Sequence, residues 1–160
     1  MPDELVLELR DVVKRYPGGV QALRGVDMRV QEGELCAIVG PSGSGKSTLL
    51  QIMGTLERAS SGLVVVAGVD VAGASDAQVA ALRARRIGFV FQQFHLLEAH
   101  TALENVATGA DIIELLRALN AQGATVVVIT HDRDIAAAIS RRLDMRDGRV
   151  VHDAALVARV

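Results

Sequence analysis

Aromatic residues make up only 2 % of this 160-residue sequence, with no tryptophan, one tyrosine and three phenylalanines. So few rings argue against a platform on which nucleic-acid bases would stack. Excess positive charge is also lacking: 17 Lys and Arg face 19 Asp and Glu, leaving a net charge of −2 and no basic field to hold a polyanion. The single cysteine, Cys36, has no partner for an intramolecular disulfide. No apolar run reaches the ~18 to 20 residues that cross a bilayer. Even the most apolar stretch, residues 63–72, is broken by Asp70. Met1 is followed by Pro-Asp-Glu instead of a basic and then apolar leader, so the expectation is a cytosolic chain that meets a membrane only through a partner. Three prolines, no Pro/Ser-rich linker and no internal repeat leave one domain, and 50 % hydrophobic residues with a mean hydropathy of +0.30 supply its core.

Turn signals cut the chain into short alternating pieces, the rhythm of an α/β domain. β-rich segments between Leu5 and Val30 are separated by Pro17-Gly18-Gly19. Residues 35–39 are continuously apolar, as in a strand covered on both faces. The pattern then predicts a helix from Lys46 to about Met53 and a strand over 63–66. Ser75 with Gln78 makes a capping box that opens a helix ending near Arg85-Arg86. A strand is expected over 87–91. A second capping box, Thr101 with Glu104, opens a helix running to about Asn120, with Gly109 as a weak point and Gly123 beyond its end. A β-branched strand over 125–130, a helix near 134–140 and a hairpin turn at Asp147-Gly148 complete the reading.

The strongest chemical signal is Gly40-Pro41-Ser42-Gly43-Ser44-Gly45-Lys46-Ser47, which satisfies G-x-x-x-x-G-K-[ST] between a predicted strand and a predicted helix. Its glycines let successive N–H groups point at phosphate oxygens, and the helix start adds the positive end of its dipole. Lys46 would reach the β- and γ-phosphates and Ser47 would offer its hydroxyl to Mg²⁺. An ordinary Gly/Ser turn has no need of Lys and Ser at those offsets.

Together with this loop, extended through Thr48-Leu49-Leu50, three further stretches matter: Val13-Lys14-Arg15-Tyr16, Gly88-Phe89-Val90-Phe91-Gln92 and Val126-Val127-Val128-Ile129-Thr130-His131-Asp132. By these the chain resembles the ATP-binding subunits of ABC transporters, over nearly its whole length. Phe91-Gln92-Gln93-Phe94-His95-Leu96-Leu97 and Thr101-Ala102-Leu103-Glu104-Asn105-Val106 look most like the lipoprotein-release and macrolide-export branch. The resemblance implies a P-loop NTPase fold, a RecA-like core sheet with an N-terminal β subdomain. It also implies ATP and Mg²⁺ as cofactors, membrane-spanning partner subunits, head-to-tail homodimers and a peripheral position at the inner face of the cell membrane. By the same resemblance Tyr16 stacks on adenine, Gln92 lies near Mg²⁺ and the attacking water, and His131 meets the γ-phosphate. Tyr16 could alternatively be a packing residue at a strand end. Gln92 and His131 each follow an apolar β run, which places them at carboxyl ends of strands, where ligands bind in open α/β sheets. His95, His100 and His152 are read as structural, Arg83, Arg85 and Arg86 as a solvated helix end, and Cys36 as a small core residue.

Two family features are missing from the sequence: the Leu-Ser-Gly-Gly-Gln signature and an apolar Walker B strand ending in Asp-Glu. Residues 63–70 superficially resemble the latter but precede Gln92 and contain Gly68. The expected seam lies between Val106 and Asp111, as though most of the helical subdomain had been removed. Hydrolysis needs one carboxylate to anchor Mg²⁺ through its waters and another to polarise the attacking water, so it is expected to be impaired. Asp132 is the one nearby substitute. The alternatives are a non-catalytic remnant or regulatory nucleotide-binding module, and a small P-loop kinase, for which no lid or acceptor site is recognisable.

Overall fold

The computed structural model describes residues 4–86 and 102–154. The elements in chain order are β1 (Leu5–Arg15), β2 (Gln21–Gln31), β3 (Leu35–Val39), α1 (Lys46–Met53), β4 (Ser61–Val66), β5 (Val69–Asp70), α2 (Asp76–Arg86), α3 (Ala102–Ala121), β6 (Val126–Ile129), α4 (Arg133–Ala137), β7 (Arg141–Arg146) and β8 (Arg149–Asp153). The strand expected over 87–91, Thr101 of the second capping box, Gln92, His95 and His100 lie outside the described residues.

The strands form two four-stranded sheets. In the first, ordered β2-β1-β4-β5, every pairing is antiparallel. In the second, ordered β6-β3-β7-β8, β3 runs parallel to both β6 and β7, and β8 closes on β7 as an antiparallel hairpin. Alternation along β3 explains the layers, since successive side chains of a strand leave by opposite faces. Cys36 and Ile38 join one large core with Leu9, Val26 and Val30 of the first sheet and Leu49 and Ile52 of α1. Ala37 faces the other way, onto Ile135 and Ile139, with Leu35, Ile113 and Val128 packed around it. Burial pushes the Cys36 thiol up to about 12, so it is an inert core residue, as expected.

The Ser75 capping box forms as predicted: the Ser75 N–H donates to Gln78 Oε1 at 2.8 Å and the Gln78 N–H to Ser75 Oγ at 3.3 Å. The expected seam falls inside α3, whose backbone runs unbroken from Ala102 to Ala121. α4 is shorter than expected, because the chain turns at Ala138 and by Arg141 is already paired with Cys36 of β3. Arg83 is half-exposed and has a role its sequence reading lacked: its guanidinium donates to the Thr55 carbonyl at 2.6 Å and ties α2 to the loop after α1. Residues 63–70 run through the end of β4, a turn and β5 in the antiparallel sheet, where Asp70 accepts from the Ala72 N–H, and they pair with antiparallel strands only.

The two sheets are also joined by a buried ion cluster. Arg141, at the start of β7, donates to both carboxylate oxygens of Asp153 at 3.0 and 2.7 Å, to Glu34 Oε1 at 2.7 Å and to the Arg29 carbonyl of β2 at 2.8 Å. With Arg141 and Asp153 both under 10 % exposed, removing one partner strands the other's charge away from water. Arg141→Met is therefore expected to lower the unfolding free energy by about 3 kcal/mol in a urea titration. Arg142→Met, which breaks the more exposed pair with Asp144, should cost less than about 1 kcal/mol. Equal, small losses in the two variants would remove the buried cluster from the account of stability.

Candidate nucleotide-binding site

The phosphate-loop motif lies where β3 ends and α1 begins, as its residues predict. The Ser44 N–H donates back to the Pro41 carbonyl at 3.2 Å, curling the chain. Gly45 then caps α1 at φ 99°, a left-handed conformation that strains any residue with a Cβ. Having no side chain, Gly45 offers no acceptor to the first N–H groups of the helix, and no side-chain cap is present. These donors are thereby left to an anion, and the helix dipole favours one.

Lys46 stands over the curl. Its ammonium donates to the carbonyls of Gly40 at 2.7 Å and Pro41 at 2.8 Å and to Ser44 Oγ at 3.2 Å. Partial burial lowers its pKa from the ordinary lysine value by stripping hydration from the charged form, and among the described residues no carboxylate pairs with it. A phosphate oxygen in the loop would supply the missing negative charge. Ser44 is buried, while Ser42, Gly43 and Ser47 are exposed and Thr48 half-exposed, so the rim of the loop is open. The residues thus suit a magnesium-bound polyphosphate: main-chain N–H donors, one cation and the Ser47 hydroxyl.

Parallel pairing brings His131 to the same end of the sheet. Ile38 of β3 is in register with Ile129 of β6, and the Thr130 N–H donates to the Ile38 carbonyl at 3.2 Å. Gly40 and His131 therefore emerge two residues beyond matched positions on adjacent strands, and His131 is exposed there. Asp132 has a different occupation. One of its carboxylate oxygens accepts from the N–H groups of Asp134 at 2.8 Å and Ile135 at 3.1 Å, capping α4. Tyr16 directly follows β1, on the antiparallel sheet. Its ring is half-buried and its hydroxyl donates to Glu57 Oε2 at 2.7 Å, so it is not a free loop residue. Gln92 is outside the described residues. Sequence reasoning missed Glu57, which carries no local motif. Lys14 had a signal, since it shares Tyr16's strand face two residues earlier.

Residues 23–154 match the family model described as ABC transporter. The chain belongs to the ABC transporter family. The Macrolide export ATP-binding/permease protein MacB of Nitrosomonas europaea is 34 % identical over 222 residues, covering 92 % of this chain and 34 % of that protein. The Pyoverdine export ATP-binding/permease protein PvdT of Pseudomonas aeruginosa is 34 % identical, covering 94 % of this chain and again 34 % of the relative. This ABC chain thus spans about a third of the length of the curated relatives it matches. Among solved structures, the dimeric ATP-binding cassette MJ0796 bound to ADP and Pi superposes with a TM-score of 0.80 at 28 % identity, covering 92 % of this chain and 97 % of that one. The fold is accordingly that of a P-loop NTPase cassette, and the ABC family implies nucleotide binding. Among the described residues no helix is long and apolar enough to cross a membrane.

Because the phosphate donors lie in one contiguous loop, a single substitution tests them. Lys46→Ala should weaken MgATP binding in calorimetry by about 1.5 to 3 kcal/mol, the worth of a charge-assisted hydrogen bond. Unchanged affinity would mean that the loop does not hold the phosphates.

Proposed function

We propose that this chain binds MgATP as the nucleotide-binding unit of an export-type ABC transporter, works on membrane-spanning partner subunits, and hydrolyses ATP poorly. Binding rests on one observation above all: a curled glycine loop, uncapped at the start of α1, with Lys46 poised over it. In this reading the N–H groups from Gly43 to Thr48 and the Lys46 ammonium hold the β- and γ-phosphates. Ser47 and Gln92 hold Mg²⁺, which when bound neutralises charge on those phosphates. His131 faces the terminal phosphate and Tyr16 carries the base. Export as the direction of transport is supported by the names of MacB and PvdT.

Impaired hydrolysis is supported by lengths and by the sheet edge. The match to MacB runs over 222 residues, more than the 160 of this whole chain, so the relative has a stretch with no counterpart here. β6 is the outermost described strand of its sheet, and its four residues Val126, Val127, Val128 and Ile129 are all half-exposed despite being apolar and β-branched. A strand of that composition suits the interior of a sheet. Both facts fit the loss of a neighbouring Walker B strand with its Asp-Glu pair, at a seam within residues 106–111. Asp132 is a weak candidate for rescue from that side, since its Oδ1 accepts from two main-chain N–H groups and ties the side chain to the start of α4.

The purified chain should therefore bind MgATP but release phosphate near background, with or without membrane subunits. General-base help alone is worth about 10² to 10⁴ in rate, and loss of metal anchoring adds to that deficit. Steady turnover on the order of 1 s⁻¹ or faster, abolished by His131→Ala, would show that another residue supplies the chemistry. Failure to bind nucleotide at all would favour a remnant without transport function.

A further inference from the structure

Tyr16 is held from two sides. Its hydroxyl donates to Glu57 Oε2 at 2.7 Å, and the Lys14 ammonium lies 5.1 Å from the centre of its ring. Lys14 in turn pairs with Glu57 Oε1 at 2.8 Å and donates to the Arg58 carbonyl at 2.8 Å. Glu57 is itself pinned to the end of the phosphate-loop helix: the N–H groups of Leu56 and Glu57 donate to the Gln51 carbonyl of α1 at 2.8 and 3.2 Å. A ring anchored at its backbone on one end and its hydroxyl on the other loses little freedom when a ligand stacks on it. With the Lys14 cation over one face, a stacking ligand would take the other face of the half-exposed ring.

We propose that Glu57, with Lys14, is the positioning residue of the base platform, fixing the Tyr16 ring relative to α1 so that purine and phosphates are gripped by one rigid unit. This rests on the reading that Tyr16 carries the base. The competing role for the same contacts is merely to fasten β1 to the loop after α1.

The test compares MgATP with magnesium and inorganic triphosphate, using the 160-residue chain. Glu57→Ala is expected to weaken MgATP about two- to tenfold, the worth of the lost hydroxyl tether, and to leave triphosphate unchanged. Tyr16→Phe, which keeps the ring and loses the tether, should give a similar loss, and Glu57→Gln, which keeps an acceptor, a smaller one. In a Tyr16→Ala background, Glu57→Ala should change nothing further. Tyr16 is the sole tyrosine and there is no tryptophan, so the intrinsic emission reports this ring alone and should respond to MgATP but not to triphosphate. Equal loss of both ligands in Glu57→Ala, or additive losses with Tyr16→Ala, would overturn the proposal in favour of fastening. If Tyr16→Ala weakens MgATP while Glu57→Ala, Glu57→Gln and Tyr16→Phe do not, the bracing role falls and the base-stacking role stands. If Tyr16→Ala has no effect and the emission does not move, the base-stacking role falls and takes the proposal with it.

Discussion

Three backbones meet closer than side chains would permit, and the phosphate loop depends on it. A Cβ on Gly40 would run into the carbonyl of Met145 in β7, one on Gly45 would lie 2.6 Å from the Ala22 carbonyl of β2, and one on Gly148 would lie 2.5 Å from that same oxygen. The turn between β7 and β8 is thereby wedged between the loop and the antiparallel sheet. Hydrogen bonds from the Gly148 N–H to Ser44 at 3.0 Å and from the Arg24 N–H to Gly148 at 2.9 Å hold it there. Two of these glycines belong to the phosphate motif and one to a hairpin more than a hundred residues away. Glycine is therefore required here for contact as well as for curling the loop.

Under the proposed function, the same wedge would let binding survive where hydrolysis is impaired. Among the described residues, the contacts that shape the phosphate loop come from β2, β3, α1 and the β7–β8 hairpin, and the buried Arg141 cluster fastens the far end of that assembly. Among the described residues, none of these contacts comes from the outer edge of β6. In the proposed reading, a stretch lost beyond β6 would cost carboxylates and sheet pairing but would leave the phosphate loop supported. His131 stands exposed where the loop meets β6, the outermost described strand of its sheet.

Much of this was legible beforehand, for identifiable reasons. α1, the Ser75 capping box, β3 and the Asp147-Gly148 turn follow from short-range rules: caps, glycine dihedrals and an apolar run bounded by turn residues. α4 was overestimated because apolar spacing alone does not show that strand pairing claims the chain from Arg141 onward. The Arg83 tie was not legible because its partner, a carbonyl 28 residues earlier, leaves no mark in the local pattern.

By itself the sequence determined the phosphate motif, the parallel strand before it and the place of His131 after another such strand, since each is encoded within about ten consecutive residues. Tertiary structure alone decided that β6 is the outermost described strand of its sheet, that Asp132 caps α4, that Arg141 joins the two sheets, and that Glu57 reaches Tyr16 across 41 positions. The physical reason is range. Dihedral preference and periodicity act between neighbours in the chain, whereas carboxylates, guanidinium groups and free strand edges take whichever partner the packed core delivers to them.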